Sequence, residues 1–252
     1  MIPSRLRLLT INSAVSSDDG WSAIEADITA AVKMSGADVL SIQGQTQSQA
    51  LKLANSLDGF LLVGGQRRWK EGARQGCLLV RSDTVDVAYS VEIPLSDTGD
   101  VQGVAAVATI TVKESNGRPI VLASVDADPE HQRRRLDDIA SVIRAVEDKA
   151  PDRRAGRVVL GSFYEAPDKG AYRLLTGRRS NRGVTGDFRD AYRRVGGDEA
   201  QGQSWRRGGD TLRADWIMVS QVEIQAAHLV VPEGEEKWKC LQHDPVYAEL
   251  LL

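Results

Sequence analysis

Between Phe60 and Val125 the chain carries five β-rich runs in succession with no helical period among them, and this feature narrows its fold most. The runs are Phe60 to Val63, Cys77 to Val80, Val85 to Ile93, Val104 to Val112 and Ile120 to Val125. They are rich in β-branched residues and separated by Gly, Asp, Ser and Asn, the composition of strands joined by turns. Ser115-Asn116-Gly117, between the last two, is a hairpin signal. A meander of this kind must bury one face against another layer.

The flanks supply that layer. Leu6 to Ile11 and Asp38 to Gln43 are short apolar runs with the form of buried strands. After the first, Trp21, Ile24, Ile28, Ala31 and Val32 recur at helical spacing, with Ser17, Asp18 and Asp19 available to cap the start and Gly36 to stop the helix. Gln47 to Leu57 is a second helix, closed by Asp58-Gly59. A long helix follows Pro129, with Leu136, Ile139, Val142, Ile143 and Val146 on one face and Arg133, Arg134 and Arg135 off it. Val158 to Gly161 is a strand, Lys169 to Leu175 and Asp187 to Val195 are short helices, and Leu212 to Val219, Val222 to Val230 and Val246 to Leu251 are late strands. Gly177 to Gly209 is the one long irregular region. The expectation is an α/β (α+β) chain folded as one domain over residues 1–252, two packed, mostly antiparallel β-sheets flanked by helices.

Composition excludes several functions. The formal charge is −3, from 32 basic and 35 acidic residues, so no global attraction draws the chain to nucleic acid or anionic lipid. Between Arg153 and Arg207, however, thirteen basic residues face six acidic ones, a local excess of seven that marks a candidate phosphate surface. Cys77 and Cys240 are the only cysteines and form no CxxC, which argues against a disulfide framework or a cysteine zinc site. No apolar stretch reaches the roughly 18 residues of a membrane span, and a cytoplasmic location is the default expectation.

Six segments, in order, carry a resemblance. They are Leu8-Leu9-Thr10-Ile11-Asn12, Ala37 to Gln43, Ile120 to Val125 followed by Arg133-Arg134-Arg135-Leu136, Gly161-Ser162-Phe163-Tyr164 with Pro167, Arg213-Ala214-Asp215-Trp216-Ile217, and Gln242-His243-Asp244-Pro245-Val246. Together the chain resembles the endonuclease/exonuclease/phosphatase superfamily, whose deoxyribonuclease I-like fold is a four-layer αββα sandwich. The resemblance implies hydrolysis of phosphoesters by water, with a divalent cation that polarises the phosphate and carboxylates that hold it. It also implies where those groups should stand. The metal Glu falls on Gly44, the phosphate-contacting His on Val125, the water-orienting Asp on Ser162, the neighbouring Asn on Tyr164, and the Asp beside the last His on Gln242. Asn12, Asp215 and His243 are retained.

Two functional readings follow. In the first the chain is a pseudoenzyme without a cofactor, a binding or scaffold module whose candidate partners are nucleic acid, a phosphate-containing ligand or a protein, with Arg178, Arg179, Arg182 and Arg213 as the phosphate-binding candidates. In the second it is a Mg²⁺- or Mn²⁺-dependent phosphodiesterase, nuclease or phosphatase whose metal site has moved to Asn12, Asp126 and Asp215, helped by Asp128, Asp210 or Glu165. Asp215 has a third use open to it, a pair with Arg213 or His243 in a buried polar network.

Overall fold

The computed structural model describes residues 4–13, 20–64, 75–98, 101–113, 115, 117–199, 201–207, 210–232, 234, 238 and 240–252. The capping candidates Ser17 to Asp19 and the turn residue Asn116 lie outside them. In chain order the elements are β1 (Arg5–Asn12), α1 (Trp21–Ser35), β2 (Val39–Gln43), α2 (Gln47–Ser56), β3 (Phe60–Val63), β4 (Gln75–Arg81), β5 (Val85–Thr98), β6 (Val101–Val112) and β7 (Ile120–Asp126). Then come α3 (Gln132–Lys149), β8 (Gly156–Ser162), α4 (Gly170–Leu175), β9 (Arg189–Asp190), α5 (Ala191–Arg194), β10 (Trp205–Arg207), β11 (Asp210–Leu212), β12 (Asp215–Ser220), β13 (Glu223–Leu229) and β14 (Val246–Leu251).

The strands follow the hydrogen-bonded order β13-β14-β1-β2-β4-β6-β7-β8-β12-β9, with β3 added on β4 and β5 on β6. Two halves, β13-β14-β1-β2-β4-β3 and β5-β6-β7-β8-β12-β9, join, among the described residues, only where Gln75 and Gly76 of β4 meet Val104 and Ala105 of β6. The expected pair of sheets is therefore one sheet curled so that its halves face each other. Three pairings are parallel, β1 with β2, β4 with β6 and β7 with β8. The first and last of these are the crossovers that carry helices, as parallel neighbours require.

Side-chain alternation builds the layers. On one face, Leu6, Leu8, Val39, Leu122, Val158, Leu160, Ile217 and Val219 pack between the two halves. On the other face of the first half, Leu9, Ile11, Leu40 and Ile42 pack against Ile24, Ile28 and Val32 of α1 and Leu53 of α2. On the other face of the second half, Val121, Ala123, Val125, Val159 and Trp216 pack against Leu136, Ile139 and Ile143 of α3 and Leu174 of α4. The result is an αββα sandwich.

Local chemistry sets the ends of the helices. Gly36 stops α1 at φ 60° and donates to the Val32 carbonyl at 2.9 Å. Thr46 and Gln49 form a reciprocal capping box at the start of α2. Arg135 departs from expectation. It is 6% exposed, and its guanidinium reaches back to the carbonyls of Asp128 and Pro129, both at 2.8 Å. The stretch after Gly177 is more regular than its composition suggests. It holds an Asn181–Val184 bridge, β9, α5 capped by Asp190, and the β10-β11 hairpin. These pieces are too short for a periodic signal, which is why the sequence reads as loop and as a single helix over Asp187 to Val195.

Candidate functional site

The inward face of each central strand changes character at the same end. Leu6 and Leu8 give way to Thr10 and Asn12 on β1, Val39 to Ser41 and Gln43 on β2, and Leu122 to Ser124 and Asp126 on β7. On β8, Val158 and Leu160 give way to Ser162, and on β12, Ile217 and Val219 are preceded by Asp215. Register sets these polar ends side by side, with Asn12 opposite Gln43, Asp126 opposite Ser162, and Ser162 opposite Asp215. Gly161, the residue before Ser162, sits at φ 141°, where a Cβ would lie 1.9 Å from the Val125 carbonyl oxygen, so only glycine lets β8 approach β7 this closely.

Two connected networks fill this end. The first is neutral. Thr10 donates to Gln43 Oε1 at 3.3 Å, Gln43 Nε2 donates to Ser41 Oγ at 2.6 Å and Ser124 Oγ at 3.3 Å, and the two serine hydroxyls lie 2.7 Å apart. The second holds the retained residues. Asn12 Nδ2 donates to Ser162 Oγ at 2.8 Å and to Tyr164 Oη at 2.7 Å. Tyr164 Oη donates to Asp126 Oδ1 at 2.9 Å, and Ser162 Oγ donates to Asp215 Oδ1. Asp215 Oδ2 takes Ser204 Oγ at 2.6 Å and pairs with His243 Nδ1 at 2.7 Å. Asn12, Ser162, Asp126, Asp215 and His243 are all buried.

Electrostatics follow from this packing. Burial works against charge on His243, but the charge and hydrogen bond of Asp215, with the charges of Asp126 and Asp244, outweigh it and raise its pKa above the usual imidazole value. Burial, with the charge of Asp126, pushes the Tyr164 phenol well above its ordinary value, so its proton stays on and is donated to Asp126. Tyr164 holds this position at φ 47°, in the left-handed region that a bulky residue rarely occupies.

Several expected positions move. Val125 points into the core beneath α3, and Asp126, one residue on, takes the inward place; strand alternation admits only one of them. Gln242 is exposed, and the carboxylate on His243 is Asp215. Gly44 follows the end of β2 at φ 78°, a conformation that disfavours a side chain. Arg213 leaves the phosphate-binding set. It is 3% exposed and bound to Asp190 at 3.1 Å and Glu199 at 3.0 Å, because a buried guanidinium needs carboxylate partners. Arg178 pairs with Asp168 at 2.6 Å and Arg182 with Asp137 at 2.9 Å, while Arg179 is exposed beside Gly170. Ser204 escaped the sequence reading. It reaches Asp215 because the Trp205–His243 bridge draws its loop inward, a non-local contact with no local signal.

A relocated cation site does not fit this geometry. Among the described residues no three His, Cys, Asp or Glu side chains group as metal ligands. Asp128 receives the backbone N–H groups of Glu130 and His131 before α3, Glu165 caps α4 through Gly170 and Ala171, and Asp210 is exposed on the β10-β11 hairpin. Between Asp126 and Asp215 stand the hydroxyls of Tyr164 and Ser162, and Asn12 turns amide N–H donors toward them, the wrong polarity for a cation.

No family model matches the sequence, and no curated protein does. Solved structures do. An endonuclease/exonuclease/phosphatase family protein from Bacteroides thetaiotaomicron superposes with TM-score 0.79 at 15% identity over 99% of this chain and 96% of that one. A mannosyl-6-phosphatase from the same organism gives 0.77 at 16% identity over 98% of this chain and 100% of that one. TDP2 of D. rerio, solved with a single-stranded DNA product, gives 0.76 at 14% identity over 98% and 99%. At these identities the likeness is one of fold.

Proposed function

We propose that this chain, which has the endonuclease/exonuclease/phosphatase fold, is a catalytically degenerate module of residues 1–252 that binds rather than hydrolyses. The observation that carries the reading is the placement of Tyr164 and Ser162. Their hydroxyls lie between Asn12 and the two carboxylates, where the resemblance would have a cation and its ligands. A positioned acid or base contributes roughly 10²–10⁴-fold to a rate, so loss of the metal ligand and the water-orienting carboxylate together leaves little of the family's chemistry. The free thiols, Cys77 buried and Cys240 partly so, suit a reducing compartment such as the cytoplasm. Among the described residues no helix is long and apolar enough to cross a membrane.

The second reading, a Mg²⁺- or Mn²⁺-dependent phosphoesterase, gains one observation, the inward turn of Asp126. A turnover assay separates the two. With single-stranded DNA, RNA and a sugar phosphate as substrates, the degenerate reading expects no release of product above background with either cation. Release that stops with chelator and with Asp215→Asn would establish the hydrolase.

A further inference from the structure

On the flank of the second half, away from the polar end, arginines outnumber carboxylates in a defined way. Arg178, Arg193 and Arg213 are bound by Asp168, Asp190 and Glu199, three charges against three. Arg189 and Arg194 stand beside this network without an ion pair among the described residues. Arg189 donates one N–H to the Val222 carbonyl at 3.1 Å. Both line the same two adjoining cavities, of about 420 Å³ and about 800 Å³, and so form the saddle between them. Arg189 faces Val219 across β9 and β12. Val219 is four residues from Asp215, about 13 Å at the rise of a strand.

We infer that Arg189 and Arg194 form a binding site for a phosphomonoester dianion, with the organic part of the ester in the larger cavity. Two guanidinium groups without carboxylate partners among the described residues outnumber the one carboxylate on the same wall, and each can bind a phosphoryl group through a planar fork of N–H donors. The larger cavity adds the apolar Val195, Val222 and Ile224 beside Gln221 and Gln225, and its size is that of a small-molecule site. Glu223, also on that wall, is the one carboxylate lining it among the described residues and sets a limit on affinity. Stacking of a nucleobase is not part of the site. Arg178 and Arg193 already cover the ring of Tyr172 at 5.3 and 4.9 Å, and Phe188 is buried. The site stands whether or not the Asp215 centre binds a cation.

The test is calorimetric titration at low salt and mildly alkaline pH with inorganic phosphate and, separately, with an N-acetyl phosphoserine amide. Saturable binding is expected, weakened about tenfold by Arg194→Gln and by Arg189→Gln, the loss of one charge-assisted fork. Glu223→Gln is expected to tighten it. Affinity for the ester should fall below its second phosphate pKa of about 6, as the dianion becomes a monoanion. Tighter binding of the ester than of inorganic phosphate is expected, and equal binding would overturn the placement of the organic part in the larger cavity. Arg194 is exposed on α5 and makes no ion pair among the described residues, so its variant keeps the test independent of folding. Absence of saturation through the millimolar range, or wild-type affinity in both arginine variants, would overturn the site.

Discussion

Replacing Asp215 with Asn removes one buried negative charge and keeps the shape of the side chain. The carboxylate is 1% exposed and holds His243, Ser204 and Ser162. Its neighbours raise the His243 pKa above the unfolded value of about 6.5, so the folded state binds the proton more tightly. That contribution is complete below the unfolded pKa and is lost as pH climbs through the native one. In Asp215→Asn most of it disappears at the pH values where it was present, and Asp126 and Asp244 retain a remainder. The destabilisation should therefore be largest near pH 6, about 3–5 kcal/mol for a buried pair deprived of one partner. Above the native His243 pKa it should shrink to about 1–2 kcal/mol, the value of the weakened hydroxyl bonds. At 2–4 °C per kcal/mol for a chain of this size, the shift in Tm near pH 6 is roughly 10 °C. Urea denaturation at about pH 6 and pH 9, followed by tryptophan fluorescence, reads both values. A loss that is equal at the two pH values would refute the charged pair.

Two further outcomes follow from the same geometry. The double variant Ser162→Asp, Tyr164→Asn sets a third carboxylate beside Asp126 and Asp215 and removes the blocking phenol, and it should gain measurable Mg²⁺ affinity by calorimetry; a folded variant that binds none would show that the cleft is closed by something else. Gly44→Glu would place a side chain at φ 78°, at a cost of about 1–2 kcal/mol, and a His at position 125 would enter the core beneath α3. Arg213→Ala strands the buried Asp190, while Glu199 keeps Arg193, and should cost about 3–5 kcal/mol, whereas Arg182→Ala at the surface should stay within about 1 kcal/mol; similar losses in chemical denaturation would deny the two arginines their different roles.

The strands and helices were legible where periodicity was long enough to read. Trp21, Ile24, Ile28 and Val32 mark α1 without ambiguity, and the runs from Phe60 to Val125 mark the meander. The closure of both halves into one sheet was not legible, since it rests on two residue pairs between β4 and β6. Motif order located Asn12, Asp215 and His243, which the fold brings together. It slipped by one residue on β7, where Val125 and Asp126 differ only in which face they occupy, and alternation from Leu122 through Ser124 would have chosen Asp126. The partner of His243 could not be read from the adjacent Gln242, because the bond crosses from the end of one strand to the loop before another. Arg213 and Arg178 look alike in sequence; burial alone separates an arginine locked among carboxylates from one at the surface.

In the proposed reading, Tyr164 and Ser162 close the polar end of the sandwich to a divalent cation. Calorimetric titration of the wild-type protein with Mg²⁺, and then with Mn²⁺, tests it directly. No saturable heat is expected through the millimolar range. One-to-one binding of either cation, abolished by Asp215→Asn in a protein that remains folded, would contradict it.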